Sequence, residues 1–371
     1  MASGQTHLLP QGRIASIDAL RGFDMFWIIG GGTLFEALPK IWKNPLTETI
    51  QQQLEHVEWQ GFHFEDLIFP LFLFIMGTVL PFSISRRLQQ GHSRKTLFLH
   101  ILTRSAVLIL LGLIFNGLLR LSFDQMRWPG VLQRIGLCYF FAGLVVMYTS
   151  RMMQAVVAIW LLVGYWALVM FVPVPGYGAG VITPEGCLPA YIDRLLIPGK
   201  FCCFTYGDNE GLASTIPAIS TVLIGALAGG WLGSGRSGNI KAIVLGIAGI
   251  GCLALGYLWG FSFPIIKVIW TSSYVLFAAG WSLLLLAVFY WIIDVRKCSA
   301  WAFFFAVIGA NPITIYFLQS FVNFDGIANF FVGGIAEYAG IIKPLVPAFS
   351  VLMVKWLLLF FLYRHKIFFK V

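Results

Sequence analysis

The chain alternates long apolar segments with short polar ones. Ten of the apolar segments are close to or above the roughly 20 residues that a helix needs to cross a bilayer. They are Ile17–Leu38, Asp66–Ser85, Thr96–Leu119, Gly130–Thr149, Met153–Val172, Leu212–Leu232, Ile240–Phe261, Val268–Ile293, Ala300–Val322 and Leu345–Tyr363. This pattern predicts an all-α, polytopic integral membrane protein with about ten transmembrane helices in one domain, residues 1–371.

Two features interrupt this regular pattern. The ninth segment contains Asn311-Pro312, and we expect a kink or break there because proline removes a backbone donor. The one long connection, at about residues 173–211, is rich in glycine, proline and aromatic residues. It is predicted to be an extracytoplasmic loop.

The lysines and arginines predict the orientation in the membrane. If the N-terminus is cytoplasmic, the short loops on that side carry thirteen of these residues, whereas the opposite loops carry eight. The thirteen include Arg13 and Lys370 at the two ends of the chain. Because positive residues accumulate in cytoplasmic loops, we expect both termini inside and the segment Leu54–Asp66 outside.

Composition agrees with a membrane protein. The chain is 58% hydrophobic and 11% charged, whereas soluble domains are about 25% charged. The net charge of +9 is explained by the loop lysines and arginines, so a nucleic-acid-binding face is not expected. Residues 1–13 are polar, and no cleavable signal peptide is predicted.

Three of the six cysteines lie in the long outer loop. A disulfide is permitted outside the cytoplasm, so Cys187 is expected to pair with Cys202 or Cys203, and the sequence leaves that choice open. Cys138, Cys252 and Cys298 fall in or beside helices and are expected to be packing residues.

Several charged residues fall inside apolar segments, where a charge costs at least about 2.5 kcal/mol unless it has a partner or a polar cavity. Asp18 and Arg21 are spaced to pair on one helix face. Arg104, Arg134 and Lys355 lack such neighbours. Several cations in one bundle indicate an anionic ligand, such as a nucleotide-like molecule with several phosphates. No P-loop or Rossmann fingerprint accompanies them.

The segment Leu54–Gly77 concentrates residues that handle protons, immediately before an apolar run. His56 and His63 lie two helical turns apart with acids between them. The acids between them could complete a metal site, but no metal-ligand spacing stands out in the chain, and we expect no metal there.

Seven stretches in this order resemble the heparan-α-glucosaminide N-acetyltransferase family, a group of transmembrane acetyltransferases that includes bacterial proteins. They are RIASIDALRGFDMFWIIGGG, EHVEWQGFHFEDLIFPLFLFIMG, WPGVLQRIGLCYF, AYIDRLLIPG, DNEGLASTIPAISTVLIGALAG, IIKVIWTSSYVLFAAGWSLLLLAVFYWIIDV and YRHKIFFKV. The resemblance runs over nearly the whole chain. The lysosomal enzyme's large lumenal domain and extra first helix have no counterpart here, as expected for a ten-span bacterial version.

The resemblance implies that the helix bundle holds acetyl-CoA as acyl donor and that the acetyl group reaches an amino sugar or glycan on the extracytoplasmic side. It implies a bacterial cytoplasmic (inner) membrane protein, and a homodimer is compatible with it. The family's active-site histidine corresponds to His56 in EHVEWQG. A histidine can take the proton of an attacking amine or accept the acetyl group itself; we favour the general base.

Other residues gain expected roles from the same resemblance. Glu58, or Glu55, is expected to orient the imidazole or bind the acceptor amine, Trp59 to stack on a sugar ring, and His63 is the less favoured alternative to His56. The acids Asp66, Asp208 and Glu210 are expected to contact the acceptor. The residues expected to bind the donor are Arg134, Arg21, Arg104, Lys355, Ser272 and Asn311, although Ser272 and Asn311 are also typical of helix–helix contacts. No metal is expected.

The chain departs from the family in two places. The asparagine that precedes Gly-Gly-Gly in the lysosomal enzyme is missing before Gly30, and Asp24 is the candidate replacement. The segment from Gly32 to His56 is also longer. We therefore expect an acceptor other than heparan sulfate. The rival interpretations are a transporter of sugars or small anions, and a family member that binds CoA without catalysis.

Overall fold

The computed structural model describes residues 14–369, and every named element within them is helical. Arg13 and Lys370, which the orientation argument counts, lie outside this range. The α-helices are α1 (Ala15–Phe26), α2 (Gly32–Glu36), α3 (Leu38–Ile41), α4 (Pro45–Gln53), α5 (Glu65–Gln89), α6 (Arg94–Phe115), α7 (Val131–Tyr148), α8 (Arg151–Phe171), α9 (Leu188–Leu196), α10 (Leu212–Leu232), α11 (Gly238–Gly260), α12 (Ser272–Phe289), α13 (Ala302–Ala310), α14 (Pro312–Leu318), α15 (Phe324–Tyr338) and α16 (Leu345–Arg364).

Among the described residues, eight helices are long and apolar enough to cross a membrane. They are α5, α6, α7, α8, α10, α11, α12 with its π-helical continuation to Val295, and α16. Each overlaps one of the ten predicted segments. The prediction of an all-α, polytopic membrane protein is therefore confirmed, while the total of ten spans stays a prediction.

The remaining two predicted segments are interrupted helices. The first changes at Trp27–Gly31, a π-helical turn in which Gly30 has a φ of 114°. Only glycine adopts that conformation without strain. The ninth ends at Ala310 and restarts at Pro312. The break predicted at Asn311-Pro312 is therefore confirmed.

The centre of the bundle is the pair α5 and α10, which are the most deeply buried of the spanning helices. Glycines let the two backbones touch. A Cβ added at Gly225 would overlap the carbonyl oxygen of Phe74, and one added at Gly77 would overlap that of Val222. Close backbone approach through small residues is a common way for helices to associate in lipid. Helices α7 and α12 flank this pair and are about half buried.

The N-terminal ends of α5, α7, α10 and α12 meet on one side of the bundle. The Tyr274 hydroxyl in α12 donates to the carbonyl of Asp66 in α5 at 2.7 Å. Arg134 in α7 donates to the carbonyl of Gly211, which precedes α10, at 3.3 Å. We call this side the outer mouth. By the orientation predicted above it faces away from the cytoplasm.

The cysteines correct one prediction. Cys187 is a free, fully buried thiol, and Cys202 and Cys203 bond to each other. Cys187 packs in an apolar cluster with Ala190 and Ile269. Its side chain is enclosed by that cluster, so the expected bridge from Cys187 to the neighbouring loop is wrong.

Candidate functional site

The centre of the outer mouth is a histidine paired with a buried acid. The Nδ1 atom of His56, in the loop between α4 and α5, lies 3.0 Å from Oδ1 of Asp66. The His56 side chain is 56% exposed, whereas that of Asp66 is 0% exposed. The imidazole is therefore open to a substrate on one side and held by a carboxylate on the other.

Asp66 is fixed by its place in the first turn of α5. Its Oδ2 accepts the backbone N–H of His63 at 3.0 Å and, at 3.4 Å, that of Val57. Its carbonyl accepts the Tyr274 hydroxyl. Since the carboxylate cannot rotate without losing these bonds, Asp66 presents Oδ1 to the imidazole in one orientation.

This pair sets the chemistry of the imidazole. When Nδ1–H donates to Asp66, the lone pair of the ring is on Nε2. A histidine held in that tautomer by a carboxylate can act as general base or nucleophile near neutral pH. The arrangement suits a reaction in which an attacking group must lose a proton.

A lysine completes the cluster from a distant part of the sequence. Nζ of Lys267 lies 3.0 Å from Nδ1 and 3.5 Å from Nε2 of His56, across a sequence separation of 211 residues. The same atom lies 3.2 Å from Oδ1 of Asp66. Burial lowers the pKa of Lys267, while the negative charges of Asp66, Glu65 and Glu210 act in the opposite direction. Sequence reasoning counted Lys267 only as a loop cation and missed this position; the one available signal was its place in the motif IIKVIW.

The acid that contacts the imidazole in the structure is Asp66. Sequence reasoning gave the orienting role to Glu58 or Glu55 and assigned Asp66 to the acceptor. Both glutamates are exposed on the loop, and Glu55 accepts a bond from Gln51 at 3.4 Å. His63 is turned to the carbonyl of Glu55, with Nδ1 2.8 Å from that oxygen.

Trp59 lies beside the pair in a partly buried position. Its indole N–H donates to the carbonyl of Ile182 at 3.0 Å, and its ring centroid is 5.3 Å from that of Phe204. These contacts tie the loop of His56 to the long outer loop. Stacking of a sugar on the remaining ring surface stays a prediction.

Asp208 and Glu210 form an ion cluster with Arg127. Arg127 donates to both oxygens of Asp208, at 2.8 and 2.6 Å, and also to Glu210. Although burial lowers the pKa of Arg127, the hydrogen bonds and charges of the two acids raise it overall. The acceptor contacts predicted for Asp208 and Glu210 therefore compete with an existing cation.

Arg134 is a buried cation with spare donors. It is 1% exposed, donates to the hydroxyl of Ser214, and lies over the ring of Trp270 with 4.8 Å to the centroid. Its Nε and Nη1 atoms have no hydrogen-bond partner among the described residues. Buried guanidinium N–H groups of this kind are costly unless something accepts them.

An apolar cavity lies between α1, α5, α7 and α14. It is lined by side chains that include Phe69 and Phe72, one and two turns along α5 from Asp66, and Ile135, next to Arg134. Phe69 also contacts Trp270, with ring centroids 5.4 Å apart. The cavity thus lies next to Arg134 and to the helix that carries Asp66, and Trp270 contacts both Phe69 and Arg134.

The other predicted donor-binding residues have different partners. Arg21 pairs with Asp18 as predicted, and Arg104 lies 4.7 Å over the ring of Tyr139. Ser272 donates to the carbonyl of Leu162 at 2.7 Å, as a helix–helix contact would.

Lys355 and Asn311 also have partners outside the histidine cluster. Lys355 donates to the carbonyl of Ile29, at the interruption of the first span, at 2.7 Å. The amide of Asn311 donates to the carbonyl of Ile367 at 3.0 Å and accepts from the N–H of Phe369 at 3.1 Å. Their predicted roles in donor binding remain untested predictions.

Comparison with known proteins finds similar sequences of one family. The catalytic model of the heparan-alpha-glucosaminide N-acetyltransferase family matches residues 13–189, which include His56, Asp66 and Arg134. The Heparan-alpha-glucosaminide N-acetyltransferase of Homo sapiens is 28% identical over 364 residues, covering 82% of this chain and 52% of that protein. The Mus musculus protein of the same name is 28% identical over 422 residues, covering 97% of this chain and 60% of its own length.

This chain thus spans between about half and three-fifths of the length of these curated relatives. The match with both relatives extends over most of this chain, beyond the residues that the family model covers. Together with the motifs that run in the same order along the sequence, these matches show that the chain is similar to the heparan-alpha-glucosaminide N-acetyltransferase family over most of its length.

Proposed function

We propose that this protein is a transmembrane acetyltransferase that moves an acetyl group from acetyl-CoA to an amino sugar or glycan on the extracytoplasmic side of a bacterial cytoplasmic membrane. The observation that carries the proposal is the His56–Asp66 pair, an exposed imidazole held at 3.0 Å by a buried carboxylate. The names of the two relatives supply the reaction class and the glucosaminide type of acceptor.

The residues fit a direct transfer. Nε2 of His56 takes a proton from the acceptor amine as its nitrogen attacks the thioester carbonyl. The carbon–sulfur bond then breaks, the acetyl group stays on nitrogen, and the leaving thiolate takes the proton from the imidazolium. Asp66 holds the imidazole in the required tautomer and stabilises the imidazolium that forms. A histidine–carboxylate pair performs the same two tasks in hydrolases of unrelated fold.

The donor side is supported by Arg134 and the apolar cavity. The spare Nε and Nη1 donors of Arg134 suit an anionic or carbonyl oxygen. The cavity lined by Phe69, Phe72 and Ile135 adds an apolar wall beside it. The phosphates and the thioester carbonyl of acetyl-CoA offer such oxygens, and its acetyl methyl group suits an apolar wall.

The test uses purified full-length protein in detergent, radiolabelled acetyl-CoA and a panel of amino sugars. We expect label transfer by the wild type and none by His56→Ala. Asp66→Asn should lower kcat by about 10²- to 10⁴-fold, because an amide leaves the imidazole in the wrong tautomer. Arg134→Met should mainly raise the KM for acetyl-CoA. Glu48→Gln, which removes an exposed acid from α4, is the matched control.

Two results would contradict the proposal. Label transfer that survives in His56→Ala removes the histidine from its role. A wild-type protein that does not bind acetyl-CoA and transfers no label would instead favour the transporter. Intact-protein mass spectrometry at neutral pH, after acetyl-CoA and before the acceptor is added, separates the two chemical routes, since only the acetyl-histidine route adds an acetyl group to the protein.

A further inference from the structure

We infer that Lys267 is a positioning residue that keeps the His56 imidazole neutral, so that its Nε2 lone pair stays available beside the buried Asp66. Its importance for catalysis rests on the proposed function, but its effect on the protonation of His56 does not.

The geometry shows why a third group is required. A buried carboxylate 3.0 Å from an imidazole favours the protonated ring, and an imidazolium can neither accept a proton nor attack a carbonyl. Nζ of Lys267 lies 3.2 Å from the same carboxylate oxygen and 3.0 Å from the ring. The ammonium neutralises Asp66 and repels a second positive charge on the ring, while Asp66 still orients the ring.

Lys267 is held in place by its backbone. The N–H of Trp270 donates to the carbonyl of Lys267 at 2.9 Å and closes a turn. The N–H of Gly61 donates to the carbonyl of Ile265, also at 2.9 Å, which ties this segment to the loop of His56. The Tyr165 hydroxyl donates to the carbonyl of Ile269. The ammonium is therefore preorganised beside the imidazole, with 16% of its side chain exposed.

The other charged groups around the pair do not replace this cation. Glu65, next to Asp66 in α5, and Glu210, before α10, are both acids and act on Lys267. Glu36 acts on Glu65, and His63 is bonded to a backbone carbonyl. With acids on these sides, loss of the Lys267 charge leaves an excess of negative charge that favours imidazolium.

The same contact also protects the lysine from acylation. A neutral amine 3.5 Å from Nε2 would compete with the acceptor for the acetyl group. An ammonium has no lone pair and cannot attack. The ion pair with Asp66 therefore has two effects: it keeps Lys267 protonated, and it disfavours a proton on Nε2 of His56.

The test measures the protonation of His56 directly. Diethyl pyrocarbonate acylates neutral imidazole and not imidazolium, so its rate of reaction with His56 at several pH values gives a midpoint, with tandem mass spectrometry separating His56 from His63. We expect Lys267→Met to move this midpoint upward by about 1–3 pH units, the range for a charge at this distance. Lys267→Arg should keep the wild-type midpoint. Lys200→Met, at an exposed outer-loop lysine, is the matched control.

An unchanged or lowered midpoint in Lys267→Met would overturn the inference. If that variant does not fold, Lys267→Gln, which keeps a polar side chain, is measured instead with the same criterion. In the transfer assay of Lys267→Met, the pH at which kcat falls on the acidic side should rise together with the labelling midpoint, while KM changes little. A wild-type protein without transferase activity would overturn the proposed function alone, because the labelling midpoint does not depend on catalysis.

Discussion

At the residue scale, three buried acids of the outer mouth differ because their partners differ. Asp66 faces an imidazole and an ammonium, and Asp208 faces the guanidinium of Arg127. Within residues 14–369, Asp193 in α9 accepts only backbone N–H groups, from Asp208 at 3.2 Å and from Leu212 at 3.0 Å. Burial raises the pKa of Asp193 to about 6, although these two N–H donors act in the opposite direction.

The raised pKa predicts a pH-dependent stability. The folded protein binds a proton at Asp193 more tightly than an unfolded chain with the ordinary value of 3.8 does. The resulting stabilisation is fully present below pH 3.8 and is lost as the pH rises through about 6. We therefore compare the free energies of unfolding of the wild type and of Asp193→Asn, measured by thermal unfolding. The wild-type value minus the variant value should fall by at most about 3 kcal/mol from pH 4 to 7.

The control for this prediction is an exposed acid. Glu48→Gln should track the wild type at every pH, because Glu48 lies on the surface of α4. Parallel curves for Asp193→Asn and the wild type across the same pH range would show that Asp193 has an ordinary pKa.

At the scale of elements, the packing of α5 against α10 supports the site. Asp66 lies in the first turn of α5, and Ser214, which accepts from Arg134, lies in the first turn of α10. The glycines Gly77, Gly225 and Gly229 allow the two backbones to touch. A change in the spacing of these helices therefore displaces Asp66 relative to Arg134.

We predict that Gly225→Ala destabilises the protein by about 1–3 kcal/mol, because its methyl group overlaps the carbonyl of Phe74 and α5 must move. Loss of thermal stability in detergent measures the effect. Gly246→Ala on α11, where a Cβ meets nothing within 4 Å, should be neutral. Equal melting temperatures for the two variants would mean that the α5–α10 contact is not tight.

At the scale of the whole molecule, the helix order places the cluster of His56 and the arginine-rich turns at opposite ends of α5. Asp66 lies in its first turn, and Arg86 and Arg87 lie in its last. If Arg86 and Arg87 lie on the cytoplasmic side, as the positive-inside rule predicts, the pair of His56 and Asp66 faces the extracytoplasmic side.

This orientation predicts the accessibility of introduced cysteines. In cells that express a Cys298→Ser background, which removes the exposed free thiol, a membrane-impermeant maleimide should label Glu58→Cys without lysis. Gln90→Cys, directly after α5, should be labelled only after lysis. The reverse pattern would place the histidine pair in the cytoplasm and exclude transfer to an extracytoplasmic acceptor.

The sequence by itself determined the helical membrane architecture, the break at Asn311-Pro312, the pair Asp18–Arg21 and the position of His56. These are local properties: an apolar run must be helical in lipid, proline breaks a helix wherever it falls, and the motif around His56 is contiguous. It also identified Arg134, although not its contacts with Ser214 and Trp270.

Only the tertiary structure decided which groups meet. Asp66 rather than Glu58 contacts the imidazole because the first turn of α5 places the Asp66 carboxylate beside the loop of His56. Lys267 joins from 211 residues away, and Cys187 is enclosed by a cluster that its own neighbours form with the segment before α12. Such contacts depend on how distant helices pack against one another, and no local pattern of hydrophobic and polar residues contains that information.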